Sequence, residues 1–189
     1  MLHPMELLPL SGALSMGAIA LAAAGAAGGV APQAPSAPAA TPSDLGATAL
    51  STTGWIGVYY AFLFLQSYTA NRAWLAAARE SKRKGERPKP LSAFKYGSAG
   101  GEAQLAADRT VGNMLEQGLP FLSALWAHAC LLDARRAATL GWVYVATRVL
   151  YPAVFNPRRL NIFLSTLPGY GVICALLLPI AWAAANGTL

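Results

Sequence analysis

Arg109–Phe121 reads RTVGNMLEQGLPF and runs directly into an apolar stretch that continues through Leu132. An arginine, an asparagine and a glutamate therefore stand at the entrance of a segment otherwise suited to lipid. On a helix Arg109, Asn113, Glu116 and Pro120 are spaced i, i+4, i+7, i+11 and fall along one stripe. A later stretch, GWVYVATRVLYPAVF (Gly141–Phe155), repeats that spacing with Tyr144, Arg148, Tyr151 and Phe155. An ionisable side chain at mid-bilayer costs roughly 2.5–3.5 kcal/mol on insertion scales, so these groups are expected to face the bundle interior and meet one another. Pairing of Glu116 with Arg109 or Arg148, with Asn113 joining helices, would be a purely structural role worth ~1 kcal/mol per contact. Two arginines against one carboxylate, however, leave a cationic excess, and a cationic, Tyr-lined cavity suits an anionic ligand.

The composition agrees with a membrane setting. Of 189 residues, 55% are hydrophobic and 12% charged, the mean hydropathy is +0.41, and the apolar residues come in blocks about 20 long, the length a helix needs to cross the hydrocarbon core. The formal net charge is +6, but the cations are unevenly placed. Eight of the fourteen Lys and Arg lie between Arg72 and Lys95, beside an apolar block, where they read as an orientation signal or a contact with anionic head groups; no nucleic-acid partner is expected. Cys130 and Cys174 have neither metal-ligand spacing nor scaffold density and are expected as free, buried thiols.

Along the chain, residues 1–31 form an Ala/Gly-rich apolar segment, either a targeting region or an extra span, and 32–53 a Pro/Ala-rich linker. Residues 54–189 hold four expected spans: Gly54–Ala78, with Trp55 and Trp74 as interfacial anchors, Leu105–Leu132, Ala137–Phe155 and Leu160–Ala185. Short connections, DARRA and NPRR, make consecutive helices antiparallel. The first loop and the turn before the last span together hold ten Lys/Arg, against Arg135 and Arg136 on the other side. That basic side should face the cytosol, stroma or matrix, in an endoplasmic-reticulum or organellar membrane. The expected fold is all-α, an integral membrane four-helix bundle. The lone His128 is expected to pack through a hydrogen bond, with no metal site. A single polar cluster near one face gives a channel or transporter no path across.

The two polar stretches together resemble the MAPEG family, the membrane-associated proteins of eicosanoid and glutathione metabolism. The family pattern is Arg-x3-Asn-x2-Glu-x3-Pro-Phe followed by Arg-x2-Tyr/His-x3-Tyr, and the long basic loop and PGYGV (Pro168–Val172) look like the microsomal glutathione transferase branch. The resemblance covers Gly54 to about Ala185. It implies a homotrimer holding glutathione between subunits, with Arg109, Asn113, Glu116, Arg148 and Tyr151 on glutathione-binding positions. Two departures matter. Phe155 stands where the family has a second aromatic hydroxyl, and the family's thiolate-stabilising arginine falls on Ile162, leaving Arg158 and Arg159 as weak substitutes for a catalytic group.

Two functions follow as expectations. One is a glutathione transferase or peroxidase acting on lipophilic electrophiles. The other is a catalytically degenerate subunit of a larger respiratory or photosynthetic membrane complex, its Ala/Pro tail lying against a partner.

Overall fold

A computed structural model describes residues 42–154 and 163–189. The described residues form α1 (Pro42–Lys84), a short α2 (Leu91–Lys95), a 3-10 turn (Ser98–Gly100), α3 (Gly101–Leu131), α4 (Ala134–Val154) and α5 (Phe163–Ala185), with no strand among them. The four long helices make the expected all-α bundle. The N-terminal apolar segment, Phe155, Arg158, Arg159 and Ile162 lie outside the described residues.

Helix α1 starts twelve residues before Gly54, so residues 42–53, counted with the linker on composition, are helical. Tertiary contact explains the difference. Thr48 is fully buried and its hydroxyl donates to the Ala134 carbonyl at 3.0 Å, while Arg135 Nε donates to Asp44 Oδ1 at 2.9 Å. Asp44 in the first turn and Lys82, Arg83 and Lys84 in the last suit the helix dipole. The helix ends in a Schellman motif: Gly85 takes φ 71°, its N–H bonds the Lys82 carbonyl, and the Glu86 N–H bonds the Ser81 carbonyl.

Consecutive long helices are antiparallel. Gln66 of α1 meets Asp108 of α3, Phe121 of α3 stacks on Tyr144 of α4 with ring centroids 3.8 Å apart, and Thr147 of α4 meets Ser165 of α5. The α3–α4 connection is tighter than DARRA suggested, because Arg135 and Arg136 already belong to α4. The Asp133 carboxylate caps that helix, accepting from the Arg135 and Arg136 amides at 2.9 and 3.0 Å.

Helices α3 and α4 form the central pair, and α1 and α5 each pack against both. The core contains Met114, Phe121, Leu125, Tyr144 and Leu176, each at most 1% exposed. Trp55 departs from its expected interfacial place: it is buried, stacked on Tyr59 and pressed against Gly118. Trp74 does sit near the basic loop, its indole donating to the Lys89 carbonyl and so folding that loop back along α1. His128 packs as expected, with Nδ1 2.8 Å from the Leu176 carbonyl; a carbonyl only accepts, so Nδ1 carries the proton. Both cysteines are free, but Cys130 is exposed on the outer face of α3 instead of buried.

By length and composition, two helices among the described residues are apolar enough to cross a bilayer, the segments Asp44–Lys84 and Phe163–Ala185. They are the outer helices, and they carry large apolar side chains outward, including Tyr60, Phe64, Leu164, Leu178 and Trp182. At about 64 Å, α1 is roughly twice the thickness of the hydrocarbon core, so its cationic end extends well past the bilayer. The Asp133 cap gives a direct test of the central hairpin. Asp133→Ala leaves two amides at the start of α4 without their acceptor and should cost about 1 kcal/mol, read as a lowered Tm of the detergent-purified protein.

Candidate functional site

The polar residues of α3 and α4 divide into a buried anchor and an open groove. Arg148 is the anchor. It is 1% exposed, and its guanidinium donates to three neutral acceptors: Nη1 to Asn113 Oδ1 at 2.5 Å, Nη2 to the Ser165 carbonyl at 2.7 Å and Nε to Thr147 Oγ1 at 3.3 Å. It also lies over the Tyr144 ring, 5.0 Å from the centroid, a favourable place for a cation. The Ser165 hydroxyl donates back to the Thr147 carbonyl, and Thr147 Oγ1 donates to the Tyr144 carbonyl. This network ties α3, α4 and α5 together beneath the groove.

The sequence suggested that Glu116 would pair with Arg109 or Arg148. Among the described residues it pairs with neither: Glu116 and Arg109 are exposed on the outer surface of α3, and Asn113 takes the guanidinium. The reason lies in α5. A Cβ at Gly169 would overlap Arg148 Nη2, so the glycine leaves the space in which the guanidinium lies between α4 and α5 and reaches the Ser165 carbonyl. Drawn to that side, Arg148 turns away from Glu116.

The groove has a volume of about 400 Å³ and is lined by Leu105, Asp108, Arg109, Gly112, Asn113 and Glu116 of α3 together with Tyr151 of α4. Four of the five residues expected on the site thus share one concavity, and the fifth, Arg148, lies behind it and holds one of the four. The size is within the roughly 300–1,000 Å³ range of small-molecule sites. Because Asn113 gives its oxygen to Arg148, its NH2 remains as a pair of donors for the groove.

Two participants were not foreseen. Gly169 entered the sequence argument only as part of PGYGV, and its role depends on a close approach between helices that no spacing reveals. Asp108 is the residue before Arg109, and its neighbour Gln104 at i−4 was a usable signal, since Gln and Asp four apart share a helix face. It adds a second carboxylate, so the groove wall carries Asp108 and Glu116 against the exposed Arg109. The expected cationic excess is lost, and the groove wall carries charges of both signs.

The family model for MAPEG matches residues 52–185. The chain belongs to the MAPEG family. It is accordingly a membrane protein of the family of glutathione and eicosanoid metabolism, whose members generally use glutathione and are often trimeric. No curated protein and no solved structure matches the chain. The matched range begins inside α1 and takes in α3, α4 and α5, so the whole groove lies within this MAPEG bundle.

The close approach of Gly169 to Arg148 can be isolated by a double-mutant cycle. Gly169→Ala should destabilise the bundle by roughly 1–3 kcal/mol, an overpacking penalty. In an Arg148→Lys background, which has no Nη2 to displace, the same change should be nearly neutral. Thermal unfolding of the four proteins measures both values, and an additive cycle would remove the steric explanation.

Proposed function

We propose that the groove binds glutathione and that the protein is a transferase or peroxidase acting on lipophilic electrophiles that reach it from the bilayer. The observation that carries this reading is the convergence of Arg109, Asn113, Glu116 and Tyr151 on one groove. Glutathione carries two carboxylates and one ammonium group, and the groove offers complementary partners. Arg109 presents a charged fork for one carboxylate, the Asn113 NH2 offers donors for the other, and a carboxylate of the groove wall accepts from the ammonium group. The ligand supplies a thiol, which is nucleophilic once deprotonated.

Arg148 acts through Asn113. By holding Oδ1 it fixes which end of the amide meets the ligand, and its buried positive charge lies behind a groove that receives carboxylates. Arg109 and Glu116 are exposed on a single chain, and ionisable groups on a membrane helix are stable only where protein or water covers them. A second copy of this chain packed against the face of α3 would provide that cover, so we take a homotrimer as the working assembly.

A second reading, a catalytically degenerate subunit of a larger membrane complex, follows from the resemblance, which puts Ile162 at the position of the family's thiolate-stabilising arginine. Titration calorimetry and a thiol-conjugation assay separate the two. The transferase reading expects glutathione binding that Arg109→Ala or Asn113→Ala weakens by about tenfold or more, together with conjugation to an apolar electrophile. Binding without conjugation would favour the degenerate subunit, and no binding at millimolar glutathione would remove the glutathione site itself.

A further inference from the structure

Asp108 is held in an unusual way. Gln66 Nε2, reaching from α1, and Gln104 Nε2, one turn earlier on α3, donate to the same oxygen, Oδ1, at 2.8 and 2.6 Å. Among the described residues no cation lies within ion-pair distance of this carboxylate, although it borders the groove. Gln104 is 2% exposed, and its own Oε1 is buried with no hydrogen-bond partner. Turning that amide over would place Oε1 against the carboxylate, oxygen facing oxygen, so the donor assignment stands on chemistry. A buried acceptor left unsatisfied is unfavourable, yet here it accompanies the clamping of an uncompensated negative charge at the groove wall.

Such a carboxylate is pre-organised for a cation brought by a ligand. One oxygen is fixed by neutral amides that leave the charge intact, and the other is not engaged by the glutamines. Glu116, the other acidic residue of the groove, is exposed and makes no hydrogen bond among the described residues, so its side chain must be ordered by whatever it binds. Fixed groups lose less freedom on binding than free ones and discriminate better.

We propose that Asp108, clamped by Gln66 and Gln104, receives the ammonium group of the ligand and is the specificity-determining residue that restricts the groove to thiol peptides with a free amine. This rests on the glutathione reading of the groove. It assigns to α1 a positioning residue, Gln66, for a site otherwise built from α3 and α4.

The test compares glutathione with N-acetylglutathione, whose amine is blocked, by titration calorimetry of the full chain in detergent. Wild type should prefer glutathione by about tenfold or more, the range of a charge-assisted hydrogen bond. Asp108→Asn should bring the ratio of the two affinities close to one, whereas Glu116→Gln should keep most of the preference. Gln66→Ala, which leaves the charge and frees its position, should reduce the ratio as well. The ratio is measured within each variant, so a general loss of affinity does not imitate the effect. If Asp108→Asn keeps the wild-type preference, or if only Glu116→Gln abolishes it, the assignment is overturned. Should Asp108→Asn not fold, an unchanged ratio in Gln66→Ala overturns it equally. Wild type that binds both peptides alike sinks only this assignment, while wild type that binds neither sinks the glutathione reading and this assignment with it.

Discussion

The interior of this bundle is organised around a buried guanidinium that has no carboxylate partner among the described residues. Arg148 is satisfied by an amide oxygen, a carbonyl oxygen, a hydroxyl and an aromatic face. A buried cation is tolerated only when its donors find acceptors, and removing one partner of such a group is far more disruptive than losing an exposed pair. Because the acceptors come from α3, α4 and α5, the demand of one side chain fixes the relative placement of three helices. The requirement extends to residues that make no hydrogen bond through their side chains, since Gly169 contributes the space that any larger residue would occupy.

The same anchor shapes the site. Neutral acceptors leave the positive charge of Arg148 uncancelled within the bundle, while Asp108 and Glu116 of α3 stay on the groove side, exposed or partly so. The result is a wall of alternating sign, Asp108, Arg109 and Glu116, with an amide in the middle whose orientation is set from behind. The division of labour among the helices follows. The outer pair, α1 and α5, presents apolar side chains and suits lipid, as do the outward faces of α3 and α4; the central pair also carries most of the groove and is sheltered by the outer pair on two sides. The groove lies on a face of α3 that no helix among the described residues covers. An exposed charged face on a membrane bundle is a physical reason for MAPEG chains to associate.

Much of this was legible in the sequence where the information is periodic. Apolar blocks of bilayer length gave the helices, the breaks between them gave the antiparallel order, and the i, i+4, i+7 stripes put Tyr144, Arg148 and Tyr151 on one buried face and Arg109, Asn113 and Glu116 on one groove. What periodicity does not carry is the identity of the partner across a helix–helix contact. Opposite charges suggested Glu116 for Arg148, and the helix start was placed at Gly54 because Pro and Ala dominate the preceding residues. Both gave way to contacts between segments far apart in the chain: Asn113 with Arg148, and Thr48 with Ala134. Trp55 was taken for an anchor at the interface on residue type alone, whereas its environment is set by the facing Gly118.

By itself, then, the sequence determined the class of fold, the membrane setting, the family pattern and the residues able to carry charge into the bundle, because each depends on local composition and on spacing along one helix. Only the tertiary structure decided which of those charges are paired, which remain open, and that Asp108 borders the groove while Gly169 packs against Arg148. Those outcomes turn on distances of a few ångströms between helices, and these are set by how neighbouring side chains fill the space between them.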